Sequence, residues 1–451
     1  MTVRSINNRK FKKKEILYMN QIPFTKEMKK EHTILIPNML PIHWDFLVRI
    51  FGNFGYKVEI LKNTDRIVVD EGLRSVHNDT CYPALLVIGQ FMEALKSGRY
   101  DPHKVTLMLF QTGGGCRASN YIHLLRKALD RNGFEYVPVL SLNFSGFKNP
   151  GDGFEITLPM IRCGMAAIAY GDLLMLLGNQ TRPYEINSGD SDRLIENWTA
   201  KLTESFKSGK CLSGKSFTST LDKIAADFES IPRRNETRIR VGIVGEIYVK
   251  YSPLGNNGLE KFLAEQGCEV MVPGLLDFLL YSMQAGIDDY ALYGGSRKAL
   301  IVRKAARHYL EGIKAKINRA VGNHGFTVPS NFRHVTTLTE GIISRGCKMG
   351  EGWLLTAEMA ELIELGYENI VCVQPFGCLP NHIAGKGMTR KIRERYPDAN
   401  IVPIDYDPGA TAVNQENRIK LMLAVASENL NKKAGSEKHN TDTTVQTAQT
   451  I

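Results

Sequence analysis

The chain has no Cys-x-x-Cys pair and no ferredoxin-type run of cysteines, so a metal held by closely spaced thiols is excluded. No G-x-G-x-x-G fingerprint follows a strand-like run, which leaves a nicotinamide cofactor unsupported. No apolar run approaches the roughly 20 residues that span a bilayer, and no signal-type segment opens the sequence. A cytoplasmic location is expected, with no membrane partner. Acidic residues are short overall, 47 against 57 Lys and Arg, a formal charge of +10. Most of that deficit sits in residues 1–31, with nine Lys/Arg and three Glu. The remainder is close to neutral, so the basic arm reads as a solvated tail and no nucleic-acid partner is expected.

What is present is an ordinary globular composition, 43% hydrophobic and 23% charged, over 451 residues. That length is too great for one core, and two or more domains are expected. After the flexible arm 1–31, residues 32–150 alternate strands (32–37, 57–61, 104–110, 136–142) with helices (44–54, 83–96, 121–131). Residues 151–237 read as helices without strands, a connector or cap. A second alternation fills 238–430: strands at 238–245, 268–272, 369–373 and 401–404, helices at 259–266, 356–365, 388–395 and 413–430, and a helical excursion at 287–325. Residues 431–451 are polar and Thr-rich and are expected to be a disordered tail. The β-α-β rhythm predicts an α/β protein with two parallel-sheet domains of Rossmann or flavodoxin-like type, joined by helical connector segments.

Eight cysteines in a long chain without secretory features suggest metal or redox chemistry more than disulfides. Cys268 and Cys372 lie in strand-like runs and read, with Cys163, as small buried hydrophobes. Cys211 falls in a polar loop, and Cys347 stays ambiguous. Cys81, Cys116 and Cys378 differ. Each stands where an apolar run gives way to a helical pattern, in His77-Asn78-Asp79-Thr80-Cys81-Tyr82-Pro83, Gln111-Thr112-Gly113-Gly114-Gly115-Cys116-Arg117 and Gln374-Pro375-Phe376-Gly377-Cys378-Leu379-Pro380. A helix start favours a thiolate, and the adjacent Gly and Pro permit close approach. Cys116 and Cys378 follow strands, hence the carboxyl edge of a sheet where ligands bind in open α/β folds. Three such thiols suggest one iron–sulfur centre with an open position, zinc being the competitor; unrelated structural cysteines fit the spacing equally well.

Glu351, between glycines ahead of a helix, and His382, four residues after Cys378, are candidate acid/base groups. Their plainer roles are a helix-start carboxylate and a packing histidine. Gly209-Lys210-Cys211-Leu212-Ser213-Gly214-Lys215-Ser216 matches the P-loop pattern, but helical sequence precedes it where the loop needs a strand, so no nucleotide is expected there. Asp405 and Asp407, in Asp405-Tyr406-Asp407-Pro408-Gly409, suit an Asx turn better than a cation site.

These stretches, with Gly350-Glu351-Gly352-Trp353-Leu354-Leu355 and Gly377-Cys378-Leu379-Pro380-Asn381-His382, resemble the 2-hydroxyacyl-CoA dehydratase family. The resemblance is closest to the C-terminal part of activase-related CoA-substrate-specific proteins and covers roughly residues 32–430. It implies a 4Fe-4S cluster held by Cys81, Cys116 and Cys378 with the fourth iron position open. It implies a partner, an ATP-hydrolysing iron–sulfur activator that supplies one electron. It further implies an acyl-CoA substrate, a 2-hydroxyacyl-CoA whose ketyl radical anion expels hydroxide, and a second dehydratase-like subunit. The chain shows no activator ATPase module and only one dehydratase-like unit. The alternative expectation is a non-catalytic electron-relay or scaffold subunit, and beyond it a zinc-stabilised or metal-free binding protein.

Overall fold

Short aliphatic and β-branched runs form two separate four-stranded sheets, both parallel throughout, as the α/β reading predicts. The computed structural model describes residues 22–77, 79–111, 116–143, 151–207 and 214–448, without the side chains of 111, 142–143 and 433–448. They divide into two compact units. The first takes the described residues up to Asn38 with Leu47–Arg162; the second takes Met39–Phe46 with those from Cys163 onward.

The first unit begins with α1 (Lys26–Glu31), capped by the Thr25 hydroxyl, which accepts from Met28 N. Part of the basic segment is therefore regular structure, and Phe24 ahead of it is 1% exposed. Then come β1 (Thr33–Pro37), α2 (Pro41–Asn53, of the first unit from Leu47), β2 (Lys57–Leu61), α3 (Arg66–Ser75), α4 (Tyr82–Lys96), β3 (Val105–Gln111), α5 (Tyr121–Arg131) and β4 (Val139–Asn143). The sheet order is β2-β1-β3-β4. The central strand β1 is buried along almost its whole length, whereas the edge strand β2 alternates, with Lys57 and Glu59 exposed, as burial on both faces and on one face require. Helices α3 and α4 cross closely: a Cβ on Gly89 would lie 2.1 Å from Val68 O, so only glycine permits this contact.

Three helices follow, α6 (Leu158–Thr181), which belongs to the second unit from Cys163 onward, α7 (Asp190–Lys207) and α8 (Gly214–Glu229). Among the described residues α6 is the one helix long and apolar enough to cross a membrane, where the sequence reading found no apolar run approaching that length. Most of it is buried within the protein. Its Asp172 accepts from His43 Nε2 at 2.9 Å and from Leu275 N and Leu276 N at 2.8 Å each, the bonding of a core helix.

There follow β5 (Arg240–Gly245), α9 (Ile247–Tyr251), α10 (Leu259–Glu265), β6 (Glu269–Met271), α11 (Leu275–Tyr293), α12 (Arg297–Asn323), α13 (Phe332–Thr337) and α14 (Trp353–Glu364). The unit ends with β7 (Asn369–Pro375), α15 (Thr389–Arg395), β8 (Asn400–Tyr406) and α16 (Ala412–Ala448). Its sheet order, β6-β5-β7-β8, repeats that of the first unit. In each sheet the strand order reverses at the central pair, β1/β3 and β5/β7, and ligands in such folds bind beyond the carboxyl ends of that pair.

Candidate functional site

In the first unit, Gln90 Nε2 donates to Leu61 O at 3.2 Å and Asn63 O at 3.0 Å, which sets the end of β2 level with the middle of α4. Cys81, the N-cap of α4, lies nine residues earlier and so projects about 13 Å beyond that level, at 1.5 Å per residue. There it meets the start of α5: the Tyr121 hydroxyl hydrogen-bonds with Cys81 Sγ at 3.1 Å. Arg117 Nη1 donates to Asp79 O. Cys116 caps the short turn Arg117–Asn120 after β3, and Ser119 Oγ donates to its carbonyl at 2.8 Å. The loops bearing Cys81 and Cys116 are thus bound to each other at the carboxyl side of the sheet. Cys81 is buried and Cys116 half-buried. Gly113, Gly114 and Gly115 lie outside the described residues.

Cys378 occupies the matching edge of the second sheet. It follows β7, with Cys378 N donating to Pro375 O at 3.2 Å and His382 N to Cys378 O at 3.1 Å. Buried Asn381 anchors the turn by donating from Nδ2 to Val373 O at 3.0 Å. The His382 ring is exposed and hydrogen-bonds through Nδ1 with the side chain of Gln374. Phe376 and Leu379, flanking Cys378, are 54% and 67% exposed.

Glu351 does not cap its own helix. It is 5% exposed, and its Oε1 accepts from Ile247 N of α9 at 2.9 Å, across from the end of β5. Gly352, the cap of α14, sets that position: its φ is +46°, and a Cβ there would fall 2.2 Å from Cys347 O. Three partners of Glu351 were missed in the sequence. Glu246, directly after β5, accepts from Val249 N at Oε2 (2.9 Å). Lys250 Nζ contacts both carboxylate oxygens of Glu358, at 3.1 and 3.3 Å, with each residue almost wholly buried. Burial, and then the Glu351 charge, push the Glu246 carboxyl up to about 8. Burial also raises Glu351 and Glu358, against the lowering effects of backbone N–H groups on Glu351 and of Lys250 on both. The signal available in the sequence was a carboxylate immediately after a buried strand, Gly245-Glu246, a position that faces the switch point.

The three cysteines read as packing residues are buried. Cys163, Cys268 and Cys372 are 4%, 1% and 0% exposed, and burial raises the thiols of Cys268 and Cys372 to about 11 and 12, which keeps them protonated. Cys347 is exposed, and Cys211 lies outside the described residues. The P-loop match has helix α7 before it and Lys215 in the first turn of α8; its residues 209–213 are not described. Among the described residues no strand leads into it. Asp407 Oδ1 accepts from Gly409 N at 2.7 Å, an Asx turn, while Asp405 faces Lys386 and Arg418.

A cavity of about 50 Å³ in the second unit lies apart from these residues. Lys314, Asp277 and Glu361 line it, and its volume suits a few waters and not an acyl thioester. Among the described residues, no group of three or more His, Cys, Asp or Glu side chains is arranged to hold a metal ion. Cys81 and Cys116 belong to the first unit and Cys378 to the second. The donor chemistry suits iron–sulfur ligation, and within the first unit two of the three thiol-bearing loops adjoin. No protein-family model matches the chain, and no curated protein matches it either.

Proposed function

We propose that the protein is an iron–sulfur enzyme of dehydratase type, acting on a 2-hydroxyacyl-CoA with an electron from an ATP-hydrolysing activator. Cys81, Cys116 and Cys378 would hold a 4Fe-4S cluster. A bound cluster of this kind supplies single electrons and, through an open iron, Lewis acidity. The observation carrying the reading is the tethering of the Cys81 and Cys116 loops at the carboxyl side of the first sheet. It is supported by Cys378 and Glu351 at the equivalent edge of the second.

The chain's own residues have definite tasks in this reading. Tyr121 fixes the Cys81 sulfur by a hydrogen bond. Asn381 and the backbone of residues 375–382 fix Cys378. Glu351, held at the β5 end by Ile247 N, is one acid/base group, and His382, oriented by Gln374, is the second.

The test is anaerobic purification with iron and sulfide analysis, where about four irons per chain are expected. Cys116→Ser and Cys378→Ser should lose iron, while Cys268→Ala, a change in packed hydrocarbon, should retain it. Equal iron in all three variants, or zinc without iron, overturns the ligand assignment. Turnover of 2-hydroxyacyl-CoA thioesters with activator and reductant tests the reaction, and its absence in an iron-replete protein leaves an electron-relay subunit.

A further inference from the structure

We propose that the outward end of the α11–α12 hairpin in the second unit is a membrane-contact surface that rests on anionic lipid headgroups. The inference goes beyond the proposed reaction and does not depend on a cluster. The expectation of no membrane partner came from the lack of a spanning run; contact through an amphipathic face requires no such run.

The hairpin projects from the packed part of its unit. Gly294 and Gly295, with φ of +74° and +135°, turn the chain after α11, and Ser296 Oγ then accepts from Ala299 N at 3.3 Å to start α12. The first buried residue of α12 is Leu310, and no residue from 289 to 309 is buried. At 1.5 Å per residue, about 18 Å of α12 therefore extends without a buried side chain. Its inner face is fastened to α11: Arg303 Nη1 donates to Gly286 O at 3.1 Å, and Arg307 Nη1 donates to Gln284 Oε1.

The outer face is apolar and basic together. Leu292, Tyr293, Ile301, Val302 and Tyr309 are between 54% and 75% exposed. Arg297, Lys298 and Lys304, all exposed, stand three or four residues from Ile301 and so border it on the helix surface. Residues 290–310 hold five Lys/Arg and no Asp or Glu. The flanking acids are already paired, Asp288 and Asp289 with Arg345 and Lys348, Glu311 with Arg307 and Arg333. Exposed apolar groups gain by leaving water, and cations without an acid gain by meeting anions; anionic headgroups above acyl chains offer both. A nucleic acid would answer the charges and leave Ile301 and Val302 wet. Half a cylinder about 18 Å long and about 12 Å across presents on the order of 350 Å². That is less than half the roughly 800 Å² per partner of a stable protein complex, whereas a lipid surface moulds to a narrow ridge.

The experiment is vesicle flotation of the full chain, with phosphatidylcholine alone and with about one-third phosphatidylglycerol added. Wild type should partition onto the anionic vesicles at least about tenfold more strongly, and high salt should remove the difference. At about fivefold per Lys or Arg near an anionic surface, Arg297→Gln/Lys298→Gln/Lys304→Gln should lower partitioning by about 100-fold. Ile301→Ser/Val302→Ser should lower it by about tenfold, through lost apolar burial. Lys261→Gln/Lys391→Gln/Lys420→Gln removes the same net charge from exposed helix positions elsewhere and should bind as wild type. Urea midpoints verify folding, and each hairpin variant tests the surface without the other. Wild type that ignores anionic vesicles overturns the proposal. So does binding undiminished in the Arg297/Lys298/Lys304 variant, which assigns the contact to another basic segment. Partitioning unchanged in Ile301→Ser/Val302→Ser shows attraction to any polyanion and overturns it too. A lipid-free dimer in sedimentation velocity that Ile301→Ser/Val302→Ser dissociates gives the face to a second copy of the chain and likewise overturns it.

Discussion

Replacing Lys250 by Met removes one charge from the second unit at the point where it is least replaceable. Lys250 and Glu358 are 2% and 1% exposed, so the carboxylate left behind has no water to turn to. Deleting one partner of a buried ion pair costs about 3–5 kcal/mol. Lys250 also lowers Glu246 and Glu351, so its loss drives all three acids toward their protonated forms. The cost at neutral pH should therefore shrink on acidification, by up to about 1.4 kcal/mol per pH unit for each acid that takes up a proton. The protein contains three tryptophans, Trp44, Trp198 and Trp353, all in the second unit and all buried. Tryptophan emission during urea unfolding consequently follows that unit alone. With a slope of about 3 kcal/mol per M, the Lys250→Met midpoint should fall by about 1–1.7 M at pH 7 and recover part of that at pH 5. Lys250→Met/Glu358→Leu should restore most of the loss, because two apolar groups leave no orphaned charge. A single variant as stable as wild type at pH 7, or one whose deficit grows in acid, would refute the argument.

Wild type should itself lose stability as pH rises. A carboxyl raised in the folded state contributes stability that is complete below its unfolded range near 4.3 and is lost as pH climbs toward the folded value, about 8 for Glu246. The second unit should thus unfold at lower urea at about pH 8.5 than at about pH 6, and Glu246→Gln should make that dependence shallower; equal slopes would contradict the buried, protonated state. Gly352→Ala should cost at least about 2 kcal/mol, from its positive φ and the approach to Cys347 O. It should also disturb Trp353 emission, and a neutral substitution would show that the turn can relax. Lys215→Ala should leave ATP binding, measured by calorimetry, unchanged from a wild type that shows none. Binding in wild type abolished in the variant would restore the P-loop reading.

The fold was legible because its strands are short aliphatic runs separated by helical periodicity, a pattern that burial on both faces of a parallel sheet imposes. β2 and α5 carry the predicted boundaries, most other ends differ by a few residues, and α16 continues to Ala448, through most of the stretch expected as a disordered tail. The helix α3 escaped notice because Ile67-Val68-Val69 has the composition of a strand. It is helical since Val68 and Val69 pack inward and Gly72 allows close contact with Leu85 of α4, a tertiary gain no local preference reports. Helix α9 escaped for another reason: five residues are too few to show a period.

The site was legible only where chemistry is local. Cysteines at strand ends flanked by Gly and Pro declare themselves in a single stretch of sequence. The partners that give such groups their properties do not, because they are far away along the chain. Tyr121 lies 40 residues from Cys81, Glu351 lies 104 from Ile247, and Glu358 lies 108 from Lys250. Glu351 in isolation is a helix-start carboxylate near its ordinary range. Buried near the end of β5, with the Lys250 ammonium bound to Glu358, its carboxyl is raised above that range. That change of character belongs first to burial, and at Glu246 next to the excess of carboxyl over ammonium groups inside a small volume. Composition, which is nearly balanced outside the N-terminal arm, averages such an imbalance away, and only folding concentrates it.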